Sequence, residues 1–214
     1  MSLSGLRRIG LFGGAFDPPH LAHSALAKAA VAQCQLDQLR ILPTGQAWHK
    51  ARDLSDAHHR IAMARLAFAD LPEAVVDARE TTREGATFTI DTLTELQAEQ
   101  PGCEWWLFIG EDQAKRLTTW HRWSDILDRA HVVVAQRLEP ADPSARDAAP
   151  HGQWHNALPS EVKPKIHVLN WSPQDMSATA IRQALARGQD TVVGLHPKVY
   201  RYIRQHHLYS DQHE

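Results

Sequence analysis

Six short apolar, β-rich segments recur along the chain, at Ile9 to Phe12, Leu39 to Leu42, Val75 to Asp77, Trp105 to Ile109, His131 to Ala135 and Ile166 to Asn170. Between most of them lie stretches with helical period or strong helix formers, at Leu21 to Gln35, Ala57 to Ala69, Ile90 to Glu99 and Ser124 to Arg129. Strand alternating with helix implies parallel strands joined by right-handed crossovers. The expected fold is therefore α/β and doubly wound, a mainly parallel sheet with helices on both faces. Toward the C-terminus, Ser177 opens a helical run to Arg187 that Gly188 can close, and Pro197 suits the first position of a last helix through His206. These make a small helical C-terminal part over about 177–209.

The chain has 214 residues and 24.0 kDa, which fits a single domain over 1–214. Pro140, Pro143, Pro150 and Pro159 interrupt the alternation. Because the pattern resumes afterwards, about 138–162 is expected as a long surface loop rather than a linker to a second domain. The formal charge is −2, with 23 Lys+Arg against 25 Asp+Glu. The 14 His bring it close to zero at pH 7, since roughly a quarter of exposed imidazoles are protonated there. A broad basic field for nucleic acid is not expected. No apolar run approaches the ~20 residues of a membrane span, and Met1 to Arg8 lacks the apolar stretch of a secretory signal. Cys34 and Cys103 have no metal or redox spacing. A cytoplasmic protein with reduced thiols is the expectation.

The first strand runs into Gly13-Gly14-Ala15-Phe16-Asp17-Pro18-Pro19-His20-Leu21-Ala22-His23, and then a helix. Paired glycines after a first parallel strand let backbone N–H groups approach an anion, and the next helix aims its positive end at the same point. The loop is neither a Walker loop nor the Gly-x-Gly-x-x-Gly of dinucleotide enzymes, and a Gly-Gly pair alone is ordinary turn chemistry. His20 and His23, spaced i, i+3 at the helix start, share a face and favour phosphate contact over two unrelated surface His. No metal site is expected from this pair, whose spacing supplies no further ligand.

These residues resemble the Gly-Gly-Thr-Phe-Asp-Pro-x-His-x-Gly-His signature of the nucleotidyltransferase superfamily. Its second signature, Ser-x-Thr-x-Ile-Arg, is similar to Ser177-Ala178-Thr179-Ala180-Ile181-Arg182. Ala15 replaces the usual Thr and Ala22 the usual Gly. Within the superfamily the chain resembles bacterial nicotinate mononucleotide adenylyltransferases over about residues 7 to 209. The resemblance runs through Ile41 to Lys50, Thr87-Phe88-Thr89, Phe108 to Asp112, Thr118-Thr119-Trp120 and Leu208-Tyr209.

That resemblance implies a Rossmann-like fold and transfer of the adenylyl group of ATP to nicotinate mononucleotide. The products would be nicotinate adenine dinucleotide and pyrophosphate. It implies ATP binding by Gly13, Gly14, Ala15, Phe16, Asp17, His20, His23, Ser177, Thr179 and Arg182, with His20, His23 and Arg182 as the catalytic set. Thr44, His49, Lys50, Thr89, Asp112 and Trp120 are implied on the mononucleotide side, and Mg²⁺ is expected to arrive largely on ATP's own oxygens. Each residue also has a plainer reading. Asp112 and Thr89 are placed to cap helices, His49-Lys50 to form a solvated loop tip, and Trp120, one of seven Trp, to pack. Arg182 reads equally as an exposed helix arginine. Competing functions are transfer to nicotinamide mononucleotide or phosphopantetheine, or a non-catalytic nucleotide-binding module.

Overall fold

A computed structural model describes residues 6–45, 54–137, 154, 156, 158–171 and 176–210. All six expected strands form: β1 (Arg8–Gly14), β2 (Gln38–Pro43), β3 (Ala74–Val76), β4 (Glu104–Gly110), β5 (His131–Arg137) and β6 (Ile166–Trp171). They make one sheet in the order β3-β2-β1-β4-β5-β6, with every pairing parallel. The order reverses between β1 and β4. In a doubly wound sheet that reversal leaves a crevice beyond the carboxyl ends of the strands, bounded here by the loops after Gly14 and Gly110.

Alternation along the strands sends side chains to two cores. Ile9, Leu11, Trp105, Leu107, Ile109, Val132 and Val134 face α4 (Thr89–Glu99) and α6 (Trp123–Arg129). Phe12, Phe108, Val133 and Ala135 face α1 (Leu21–Cys34), α2 (Ala57–Ala67), α7 (Ala178–Ala186) and α8 (Pro197–Gln205). Helix α1 buries Ala22, Ala27 and Ala30 beside Leu26, small residues that let it lie close to the sheet. The Ala22 methyl, where the superfamily signature has Gly, is part of that packing. Helix α7 ends as its sequence implies. Gly188 takes φ +70°, and the N–H groups of Gly188 and Gln189 donate to Leu185 and Ala184, a Schellman closure. Pro197 is the first residue of α8.

Two short helices lie outside the sequence expectation, α3 (Arg79–Thr82) and α5 (Glu111–Ala114). Neither is long enough to show a helical period. The expected surface loop over about 138–162 also differs at its far end, where Trp154, Leu158 and Val162 are buried against the α4 and α6 side. Three large apolar side chains at that spacing gain roughly 1.5–3 kcal/mol each by leaving water, so this stretch packs despite its prolines. Among the described residues no helix is long and apolar enough to cross a membrane.

The turn after β2 is packed backbone on backbone. A Cβ at Gly45 would lie 2.0 Å from the Glu80 carbonyl oxygen and 2.9 Å from Thr87 Oγ1. Gly45→Ala is therefore expected to lower stability by about 1–3 kcal/mol, read as a shift of the urea midpoint at constant slope. An unchanged midpoint would mean the two segments are not in contact.

Candidate active site

Strand β1 delivers its glycines to the crevice. Gly13 is exposed, and the nearest atom to a Cβ built there is 4.0 Å away, so its peptide lies open to a ligand. The Gly14 carbonyl accepts a hydrogen bond from the Thr44 N–H at 2.8 Å, joining the loops after β1 and β2. Phe16 then takes φ +47°, a left-handed conformation that costs an L-residue of order 1–3 kcal/mol. Its ring is buried edge-on to Phe12, Phe68 and His23 at centroid distances of 5.6, 5.7 and 5.2 Å. Burying a Phe gains a similar amount, so packing holds the turn. The Phe16 side chain thus shapes the loop from within.

The Asp17 side chain also turns inward. The carboxylate is 2 % exposed, accepts from the Ser55 N–H at 3.2 Å, and accepts from the Tyr209 hydroxyl at 2.5 Å. The Asp17 carbonyl accepts from Arg182 Nη1 at 2.8 Å. Arg182 Nη2 donates to Thr179 Oγ1 at 3.1 Å, and Ser177 caps α7 by accepting the Ala180 N–H at 3.1 Å. One hydrogen bond across 165 residues therefore brings the two signature segments together beside the N-terminus of α7. Arg182 is half-buried, not an exposed helix arginine.

His20 stands at the N-cap of α1, and the rings of His20 and His23 stack at 3.8 Å. His23 Nδ1 accepts from the His20 backbone N–H at 3.1 Å, so the proton of a neutral His23 ring sits on Nε2. Burial lowers the His20 pKa to about 4; burial and repulsion from His20 lower that of His23 to about 3. Both rings are therefore neutral at pH 7 before any anion arrives. Phe12 and Phe16 pack against the His23 ring, an apolar surrounding that disfavours imidazolium.

The mononucleotide-side residues are more dispersed. Thr44 leaves β2 and is half-buried. His49 and Lys50 lie outside the described residues. Thr89 is the first residue of α4, with Phe88 rather than Thr89 at the N-cap. Asp112 lies in α5, its side chain 91 % exposed and 3.7 Å from the Lys115 ammonium; Gly110 holds the cap position. Trp120 is half-buried against the α4 and α6 core, so part of its surface packs as the plainer reading has it. Phe88 and His121 stack at 4.5 Å, bringing the start of α4 beside the Trp120 segment. Sequence reasoning did not assign Arg60 or Tyr209 to the site; Arg60 reaches Thr44 and Ala15 across 16 and 45 residues, and Tyr209 reaches Asp17 across 192.

Comparison with known proteins fits this geometry. The cytidylyltransferase-like family model matches residues 11–184. A probable nicotinate-nucleotide adenylyltransferase from Albidiferax ferrireducens is 47 % identical over 96 % of this chain and 99 % of its own length. This chain belongs to the nicotinate-nucleotide adenylyltransferase family. A second such relative, from Methylibium petroleiphilum, is 42 % identical over 98 % of this chain and 96 % of its own. Among solved structures, the Plasmodium falciparum nicotinic acid mononucleotide adenylyltransferase complexed with APC superposes with a TM-score of 0.72 at 16 % identity. That match covers 95 % of this chain and 97 % of the other, and it shows the shared fold.

The stacked pair gives this family member a measurable titration. Folding depresses both imidazole pKa values, so the unfolded chain binds more protons than the folded one between about pH 6.5 and 3. Their contribution to stability is complete above pH 6.5 and drains as pH falls toward 4 and then 3. Nitrogen-15 NMR of the free protein is expected to show His20 and His23 still neutral at pH 6. Midpoints for both near 6.5 would contradict the burial argument.

Proposed function

We propose that this protein transfers the adenylyl group of ATP to nicotinate mononucleotide, releasing pyrophosphate and forming nicotinate adenine dinucleotide for NAD biosynthesis. The observation that carries the reading is the Arg182 to Asp17 junction. It assembles both signature segments at the sheet's switch point, in a chain 47 % identical to a probable nicotinate-nucleotide adenylyltransferase.

In this reaction an oxygen of the mononucleotide phosphate attacks the α-phosphorus of ATP. A new P–O bond forms as the bond from the α-phosphorus to the bridging oxygen breaks, and pyrophosphate leaves with that electron pair. The attacking phosphate has a second pKa near 6 and is largely dianionic at pH 7, so the step needs no strong general base. The demand on the protein is alignment and neutralisation of charge moving to the leaving group.

The peptides of Gly13, Gly14 and Ala15 would approach the ATP phosphates, with Phe16 and Asp17 shaping the loop behind them. His20 and His23 would donate from their rings and take up protons as the polyphosphate arrives, since an adjacent anion favours imidazolium. Ser177, Thr179 and the α7 N-terminus would cradle the outer phosphates while Arg182 adds a fixed cation. Thr44, His49 and Lys50 would flank the mononucleotide phosphate, Asp112 its ribose, Thr89 and the start of α4 its carboxylate, and Trp120 the cationic ring. Imidazole, guanidinium, hydroxyl and backbone N–H donors suit anions rather than a hard cation, so Mg²⁺ enters as part of the ATP complex. Cytoplasmic residence, a single domain over 1–214, and no nucleic-acid or membrane partner belong to the same reading.

The test offers Mg²⁺-ATP with nicotinate mononucleotide, nicotinamide mononucleotide and phosphopantetheine in parallel and follows pyrophosphate. Release with the nicotinate substrate foremost is expected; release with none would favour a binding module. His23→Ala is expected to lower kcat by about 10²- to 10⁴-fold, a range typical of lost transition-state donors, with the fold intact by circular dichroism. Trp120→Ala is expected to raise the Kd for the mononucleotide far more than that for ATP by calorimetry; equal changes would assign Trp120 to packing.

A further inference from the structure

Helix α2 places an arginine directly behind the crevice. Arg60 is 4 % exposed. Its Nε donates to the Ser55 carbonyl at 2.9 Å, and its Nη1 donates to the carbonyls of Thr44 at 2.8 Å and Ala15 at 3.1 Å. One rigid, planar fork thus holds three carbonyls from two loops. Ala15 belongs to the loop after β1, and Thr44 begins the connection after β2, which ends at Ser55 before α2.

The same two loops are joined a second time by the Thr44 N–H to Gly14 carbonyl bond at 2.8 Å. Together the contacts fix the spacing of the Ala15 and Thr44 peptides. The arrangement is costly. Burial works against the guanidinium charge, and the neighbouring Asp17 carboxylate offsets part of that cost. A buried cation held by neutral carbonyls is a poor way to gain stability but a precise way to hold two loops. A lysine in its place has a flexible stem and a point charge, without the fixed fork.

We propose that Arg60 is a positioning residue for adenylyl transfer. By gripping the Ala15 and Thr44 carbonyls at one guanidinium, it sets the distance between the ATP-phosphate loop and the loop that flanks the attacking phosphate. The proposal rests on the reaction assigned above. Each loop can still bind its own ligand when the brace is loosened, but the two phosphates lose their in-line alignment. Loss of Arg60 therefore lowers kcat more than it weakens either substrate.

The experiment compares wild type, Arg60→Lys and Arg60→Met in steady-state kinetics, well below each variant's melting temperature, with calorimetric Kd values for ATP and the mononucleotide separately. Arg60→Met is expected to lose about 10- to 100-fold in kcat, the scale of an ångström misplacement, with each Kd within about threefold of wild type. Arg60→Lys is expected to recover part of kcat. If the Met variant does not fold, the Lys variant decides, through a fall in kcat without a matching change in Kd. A folded variant of either kind with kcat within about twofold of wild type overturns the proposal, as does a loss confined to Kd. An inactive wild type overturns the assigned reaction and the positioning role with it, whereas an active wild type with unaffected variants overturns the positioning role alone.

Discussion

Where β1 ends, the chain turns through a left-handed Phe16, and Asp17 takes up the contacts that keep this turn in one shape. Its carboxylate holds the Ser55 N–H and the Tyr209 hydroxyl, and its carbonyl holds Arg182. A carboxylate out of water costs several kcal/mol, and hydrogen bonds to a charged acceptor return about 1.5–3 kcal/mol each. That balance closes only if all partners are present together. Tyr209 beyond α8, Ser55 just before α2 and Arg182 in the first half of α7 therefore have to be in place for the loop after β1 to hold its shape. The site depends on contacts between segments that are far apart in the chain, and Asp17 is where they meet.

This dependence explains which parts of the molecule were legible in the sequence. The six strands were visible because a parallel sheet buried on both faces demands short, nearly continuous apolar runs, and Trp105 to Ile109 is such a run. The longer helices were visible through their period, and the end of α7 through Gly188. Helices α3 and α5, four residues each, carry no period to detect. The Gly-Gly loop and its two His stand out as a phosphate site by local pattern alone, and the Asp17 carbonyl at the end of that loop meets Arg182. Arg60 carries no local signal and Tyr209 only that of the Leu208-Tyr209 ending, because what distinguishes them is which distant carbonyl or carboxylate they reach. Asp17 illustrates the same limit: a pattern names the residue but does not tell whether its side chain faces the crevice or the core.

Composition pointed to a near-neutral chain, while the reaction assigned to it brings together two anionic substrates. Among the described residues, much of what the structure places at the crevice is neutral or dipolar rather than charged. Burial holds the His20 and His23 rings toward the neutral form, and Phe12, Phe16 and the neighbouring His20 ring pack against His23. Arg182, a cation at the loop, is already engaged with the Asp17 carbonyl and Thr179. What stands ready is directional: open peptides at Gly13, the starts of α1 and α7, and a His23 proton held on Nε2 by the His20 N–H. Such groups interact weakly with stray anions in water and strongly with a polyphosphate that excludes water from the site. A neutral imidazole pair has a further consequence for the chemistry. In the proposed reaction its rings would gain charge as phosphate arrives and donate more strongly as negative charge moves onto the leaving pyrophosphate, which would weight part of the stabilisation toward the transition state.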